Sequence, residues 1–139
     1  MRIMGLDVGE KTIGVAISDP FGWTAQGINT IHRKGVQKDL LELDQLVKEY
    51  AVEEIVVGLP LNMNGSEGES AVRVRRFVTK LKETYAQGMK ITLKDERLST
   101  VAAQKILLEG DVSRSNRKKV IDKMAAVYIL QGYLDYIKK

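Results

Sequence analysis

The hydrophobic period changes once along this chain, and the change limits the folds open to it. Through residue 32 the apolar residues recur every second position. In residues 12–18 (TIGVAIS), Ile13, Val15 and Ile17 fall on one side and Gly14, Ala16 and Ser18 on the other, the alternation of a β-strand. Residues 2–8 (RIMGLDV) read as a second strand, and the short Gly9-Glu10-Lys11 link between the two suits an antiparallel hairpin. Asp19-Pro20-Phe21-Gly22 is a turn that leads to a third strand within residues 23–32.

From residue 37 the period becomes helical. Leu40, Leu43, Leu46, Val47 and Tyr50 recur on one face of an amphipathic helix over 37–50. A continuous apolar run from Ile55 to Leu59, stopped by Pro60, suits the interior of a parallel or mixed sheet. A polar loop (62–69), a helix over about 69–85, a strand at Lys90–Lys94 and a helix at Ser99–Glu109 follow. Residues 111–119 read as a basic loop, and a final helix is expected from about 117 to 137. An antiparallel meander followed by alternating helices and strands predicts an α/β protein, a mixed five-stranded sheet flanked by helices, in one domain over residues 1–139.

Composition narrows the chemistry. The 139 residues include no cysteine and one histidine, His32, which removes disulfides and thiolate sites and argues against zinc. A metal here would be a hard cation on carboxylate oxygens, Mg²⁺ or Mn²⁺. No long uncharged apolar segment and no signal-peptide pattern stand in the sequence, so a cytoplasmic protein without a membrane partner is expected. A net charge of +4 is compatible with a polyanionic partner.

The residue that most needs an explanation is Asp7, a carboxylate at the end of an apolar strand, where burial without a partner is costly. Glu96 follows the last strand, and Asp122 sits early in the apolar final helix. Binding sites of α/β sheets form at the carboxyl ends of parallel strands, which would put Asp7, Glu96 and the 62–67 loop on one edge. Three carboxylates there would repel unless cations lay between them, and two such ions suit phosphoryl transfer. Each acid also has a plainer role open to it. Asp122 could cap its own helix, Asp95 could pair with Arg97, and Asp7 could accept backbone N–H groups.

Four blocks, GLDVGEKTIGVAISD, IVVGLPLNMNGSEG, DERLSTVAA and KVIDKMAAVYILQGYLD, together resemble the YqgF (RuvX) family of pre-16S rRNA nucleases and Holliday-junction-resolvase-like proteins. The resemblance spans essentially the whole chain. It implies an RNase H-like fold and a metal-dependent endonuclease, a hydrolase of phosphodiesters with a role in maturing the 5′ end of 16S rRNA. It implies that Asp7, Glu96 and Asp122 are both the catalytic and the metal-binding residues, with Asp7 bridging two Mg²⁺ or Mn²⁺ ions. The expected partners are an rRNA precursor, within a pre-ribosomal particle, or branched DNA; monomer and weak dimer both stay open.

Around these acids, Lys11, Arg97, Asn62 and Asn64 are candidates to hold the nucleic acid, with Ser66 beside them. Arg114, Arg117, Lys118 and Lys119 are candidates for backbone contact because they abut Asp122. Arg73, Arg76 and Lys80, opposite the apolar stripe of their helix, read as a solvated face, and His32 as a surface residue. Two other readings remain: a junction resolvase acting on DNA, and an RNA-binding assembly factor without catalysis. A phosphate-binding lobe of the sugar-kinase type would need a second lobe.

Overall fold

The period switch is realised as two kinds of layer. The computed structural model describes residues 2–62, 64–96 and 114–138, the last segment with side chains from Met124 onward. Strands β1 (Arg2–Val8), β2 (Thr12–Ser18) and β3 (Ala25–His32) form the meander. Helix α1 (Val36–Glu49), strand β4 (Val52–Leu59), helix α2 (Glu69–Thr84) and strand β5 (Lys90–Asp95) follow, and helix α3 (Arg114–Ile137) ends the described chain. The sheet order is β3-β2-β1-β4-β5. β1 pairs antiparallel with β2 and parallel with β4, and β4 pairs parallel with β5.

Alternation along each strand sorts residues onto two faces. Met4, Leu6, Val15, Ile55 and Val57 point to the side covered by α1 and α2, where Leu43, Val47, Val74 and Phe77 complete the larger core. Ile3, Ala16 and Val56 point to the other side, against Ala126, Ile129, Leu130 and Leu134 of α3. The α3 side is built for close approach. A Cβ placed on Gly5 would lie 2.7 Å from the Cβ of Leu130, and one on Gly58 would lie 2.6 Å from Cδ1 of Ile129.

Contacts along α3 fix its direction. Ile129 covers Gly58 near the end of β4, whereas Tyr133 hydrogen-bonds Glu54 near its beginning. Gln131 accepts from the N–H of Ala25, and the Lys138 ammonium lies 4.9 Å from the centre of the Trp23 ring. The helix therefore runs against β1 and β4, with its N-terminal half directed at the edge where β1, β4 and β5 end.

One boundary is corrected: the final helix, expected from about residue 117, begins at Arg114, so Arg114 is helical together with Arg117, Lys118 and Lys119. Arg and Lys are good helix formers, so a basic segment extends a helix already fixed further on by packing. The expected Ser99–Glu109 helix and Arg97 lie outside the described residues.

Candidate active site

Asp7 stands on the α3 side of the sheet, two residues past Gly5 on the same face. Its cross-strand partner on β2 is Gly14. On the other side, Gly58 follows Val57, the residue paired with Leu6. Three glycines, Gly5, Gly14 and Gly58, thus occupy strand positions next to one half-buried carboxylate. The strand stays buried below Asp7 and opens at it.

Glu96 reaches the same recess from β5. Its N–H donates to the carbonyl of Leu59 at 3.0 Å, which continues the parallel pairing one step past Asp95. Its Cγ would lie 3.1 Å from a Cβ on Gly58, so the glutamate stem passes over the glycine. Burial raises the Glu96 pKa above the ordinary glutamate value. The Lys94 ammonium opposes that shift, and the negative charges of Asp7 and Asp95 add to it. Lys94 Nζ stands 3.3 Å from Glu96 Oε1. Asp7 and Glu96 therefore share one electrostatic environment, and both offer hard oxygen donors of the kind a divalent cation takes.

The third carboxylate is described only by its backbone. Residue 122 occupies α3 one turn before Ala126, which packs over Gly5, on the half of the helix directed at this edge. Among the described residues no set of three metal-ligating side chains is gathered. Arg114, Arg117, Lys118 and Lys119 lie on that same half of α3.

The hairpin turn after Asp7 is pinned from below. Arg33 donates to the carbonyl of Gly9 at 3.0 Å and to Asp39 at 3.1 Å, and its guanidinium lies 5.5 Å from the Phe77 ring centre. Asp39, 1% exposed, also accepts from the N–H of Lys34 at 2.8 Å. Lys11 is exposed in the turn held this way, and His32 is exposed beside it. Asn62 and Asn64 occupy the loop after β4, but they are engaged with each other's turn. Asn62 donates to Ser66 Oγ at 2.9 Å, and Asn64 accepts from the Ser66 N–H and hydroxyl at 3.0 and 2.6 Å. Those bonds make the two asparagines turn formers first.

Three residues escaped the sequence reading. Lys94 lies two positions before Glu96, so strand alternation already put them on one side. Gly58 inside an apolar strand is a standing signal of close backbone approach. Arg33 carried no such signal, because the turn it braces, at Gly9, is 24 residues away in sequence.

A mixed sheet of this order with an acidic end to its central strand defines an RNase H-like α/β protein. Fowlpox virus resolvase, solved with Holliday junction DNA, shares the architecture at a TM-score of 0.63 and 12% identity, over 100% of both chains. Thermus thermophilus RuvC with a Holliday junction substrate matches at 0.61 and 12%, over 99% of this chain and 96% of that one. The chain belongs to the RuvX family, whose model, described as Holliday junction resolvase, matches residues 1–136. A relative from Desulforamulus reducens is 60% identical over 97% of each chain, and one from Clostridium novyi is 58% identical over 99% of this chain and 100% of its own. Both carry the provisional name pre-16S rRNA nuclease.

Proposed function

We propose that this protein is a metal-dependent endonuclease of structured nucleic acid that matures the 5′ end of precursor 16S rRNA in the cytoplasm. The observation that carries the reading is the shared recess of Asp7 and Glu96 at the carboxyl edge of the sheet, with a helix start directed at it. Two like charges in a part-buried recess are held apart from ordinary solvation, and Lys94 offsets the shift on Glu96 only in part. The donor set fits Mg²⁺ or Mn²⁺.

In this reading Asp7, Glu96 and Asp122 would hold two ions, which when bound supply Lewis-acid stabilisation of the charge that builds on the phosphate oxygens. Asp7 would contribute from the central strand of the sheet. Gly58 lets the Glu96 stem cross the strand close to Asp7. Lys94 holds Glu96 in place. Lys11, on the turn braced by Arg33, meets a phosphate beside the cut. Arg97, Arg114, Arg117, Lys118 and Lys119 hold the flanking backbone through charge, without sequence choice. Water is the nucleophile, and no side chain forms a covalent intermediate.

A second reading has its own support: the family description and two structural neighbours concern Holliday junctions, so branched DNA is the competing substrate. The test is cleavage of a labelled precursor 5′ fragment and of a four-way junction, with Mg²⁺ or Mn²⁺, by wild type and by Asp7→Asn. Cutting of the RNA that is lost in the variant supports the proposal. Preference for the junction moves the substrate to DNA, and equal background in both proteins removes the catalytic assignment.

A further inference from the structure

A second basic feature stands on the opposite face of the molecule. Between the start of α1 and the exposed side of α2 runs a groove of about 980 Å³. Val36, Val72 and Phe77 form an apolar part of its lining, and Val72 is 42% exposed. Arg73, Arg76 and Lys80 line it along α2. Arg73 and Arg76 make no ion pair among the described residues, and Lys80 meets only the exposed Glu83 at 3.5 Å. Glu67 and Glu69 also line the groove, but Glu67 is taken by Arg75 at 2.7 Å.

The groove is tied to the hairpin turn that follows Asp7: Arg33, one of its lining residues, bonds the Gly9 carbonyl two residues beyond Asp7, and Gly68 and Glu69 line it at the start of α2. From there the basic residues lead away along α2. Arg73, Arg76 and Lys80 stand at i, i+3 and i+7, so they rise about 10.5 Å along one side of the helix. That span matches about three nucleotide steps at duplex spacing.

We infer that the α2 groove is a second nucleic-acid-binding surface, which takes the phosphate backbone of the substrate segment flanking the cut after it leaves the Asp7 edge. Charge complementarity selects this occupant. A second copy of the chain packed here about a two-fold axis would bring Arg73 and Arg76 against their own counterparts, a repulsive arrangement. Phosphates on the rim neutralise the arginines, and sugar faces can lie on Val36 and Val72. The inference rests on the nuclease reading for its substrate but not for its binding test.

The test is the binding of the labelled precursor 5′ fragment to the full chain, followed by fluorescence anisotropy over a salt series with Ca²⁺ in place of Mg²⁺. Three proteins are compared: wild type, Arg73→Gln/Arg76→Gln, and the charge-matched Lys38→Gln/Lys82→Gln, whose lysines are exposed and outside the groove. The arginine pair should bind about tenfold more weakly and show a salt slope shallower by about 1.5, the loss of two phosphate contacts. The lysine pair should stay near wild type. Equal losses in both pairs, or none in the arginine pair, would overturn the groove and leave the Asp7 reading intact. A wild type that cuts nothing, with weakened binding still confined to the arginine pair, would remove the catalytic assignment and keep the groove. Loss of a wild-type dimer in the arginine pair, measured by sedimentation, would give the groove to a second copy and overturn the inference.

Discussion

On the side covered by α1 and α2, the strands present Leu6, Val15, Ile55 and Val57 to a core closed by Leu43 and Phe77. On the side covered by α3, the same strands present Gly5, Gly14, Ala16 and Gly58, and with them the carboxylates of Glu54, Asp7 and, just past β5, Glu96. Strands β1, β2 and β4 each supply both lists in alternation. The large aliphatic side chains contribute stability through area removed from water. The small residues contribute little area, but they let a helix and the stem of an acid approach the sheet closely. Glu54 shows how an acid on this side is accommodated inside the core: Tyr133 donates to it, Thr92 Oγ1 lies at 3.5 Å and Lys90 at 3.7 Å. Asp7 and Glu96 stand instead at the carboxyl end of the strands, where Glu96 shares its surroundings with Asp7, Asp95 and Lys94, and that position separates candidate catalytic carboxylates from a structural one.

The contrast between the faces can be broken in order of effect. The largest change is expected from Asp7→Asn, which should lower cleavage by on the order of a hundredfold or more, the scale of losing a group that stabilises developing charge. Its thermal unfolding midpoint should stay at or above wild type, because the change also relieves repulsion with Glu96. A large loss of stability with the activity would place Asp7 among the structural residues instead.

Phe77→Ala tests the other face. Phe77 is 1% exposed, and its removal should cost about 3–5 kcal/mol in denaturant unfolding. Cleavage per folded molecule should fall modestly, through the lost support of Arg33. Gly5→Ala should cost less, about 1–3 kcal/mol, because the new Cβ pushes α3 off the sheet. If small residues on the α3 side matter for approach, Gly5→Ala should also lower activity more per kcal/mol lost than Phe77→Ala does. The reverse ranking would dissolve the division between the faces.

The smallest effect belongs to a pH-dependent contact on the aliphatic side. The Tyr85 hydroxyl donates to Asp44, and that bond, with Lys48 at 3.0 Å, lowers the Asp44 pKa below 3.8. A lowered folded pKa means the contribution is present above 3.8 and is lost as pH falls through the folded value. Tyr85→Phe should therefore cost about 0.5–1.5 kcal/mol near neutrality. The difference from wild type should shrink in unfolding curves taken below the ordinary aspartate range, and a constant difference would exclude the link to Asp44.

Much of this architecture was legible because it is local. Period two in residues 12–18 and period 3.6 in residues 37–50 report which side of each element is apolar; burial follows that side in the helix, whereas both sides of β2 are buried because helices cover both faces of the sheet. The strand expected at Lys90–Lys94, one residue short of β5, and the helix over 69–85 were legible for the same reason. The first turn of α3 was not: Arg114 to Asn116 carry no apolar signal, and the helix extends through them from packing further along. The turn role of Asn62 and Asn64 was likewise ambiguous, since the same amide groups serve a turn or a ligand, and only their bonds to Ser66 separate the two.

By itself the sequence determined the alternation that puts Asp7 and the glycines on one face, the zero cysteines, and the four blocks that mark the family. Only the tertiary structure decided what lies beside Asp7. Gly14, Gly58, Glu96 and Lys94 come from three other places in the chain, and the parallel register of β1, β4 and β5 sets them around one carboxylate. It also decided that Arg33 braces the Gly9 turn and that Arg73 and Arg76 line a groove tied to the same turn. Periodicity reports one element's own faces, whereas a site depends on which ends of separate elements meet, and that is fixed by strand order and crossover.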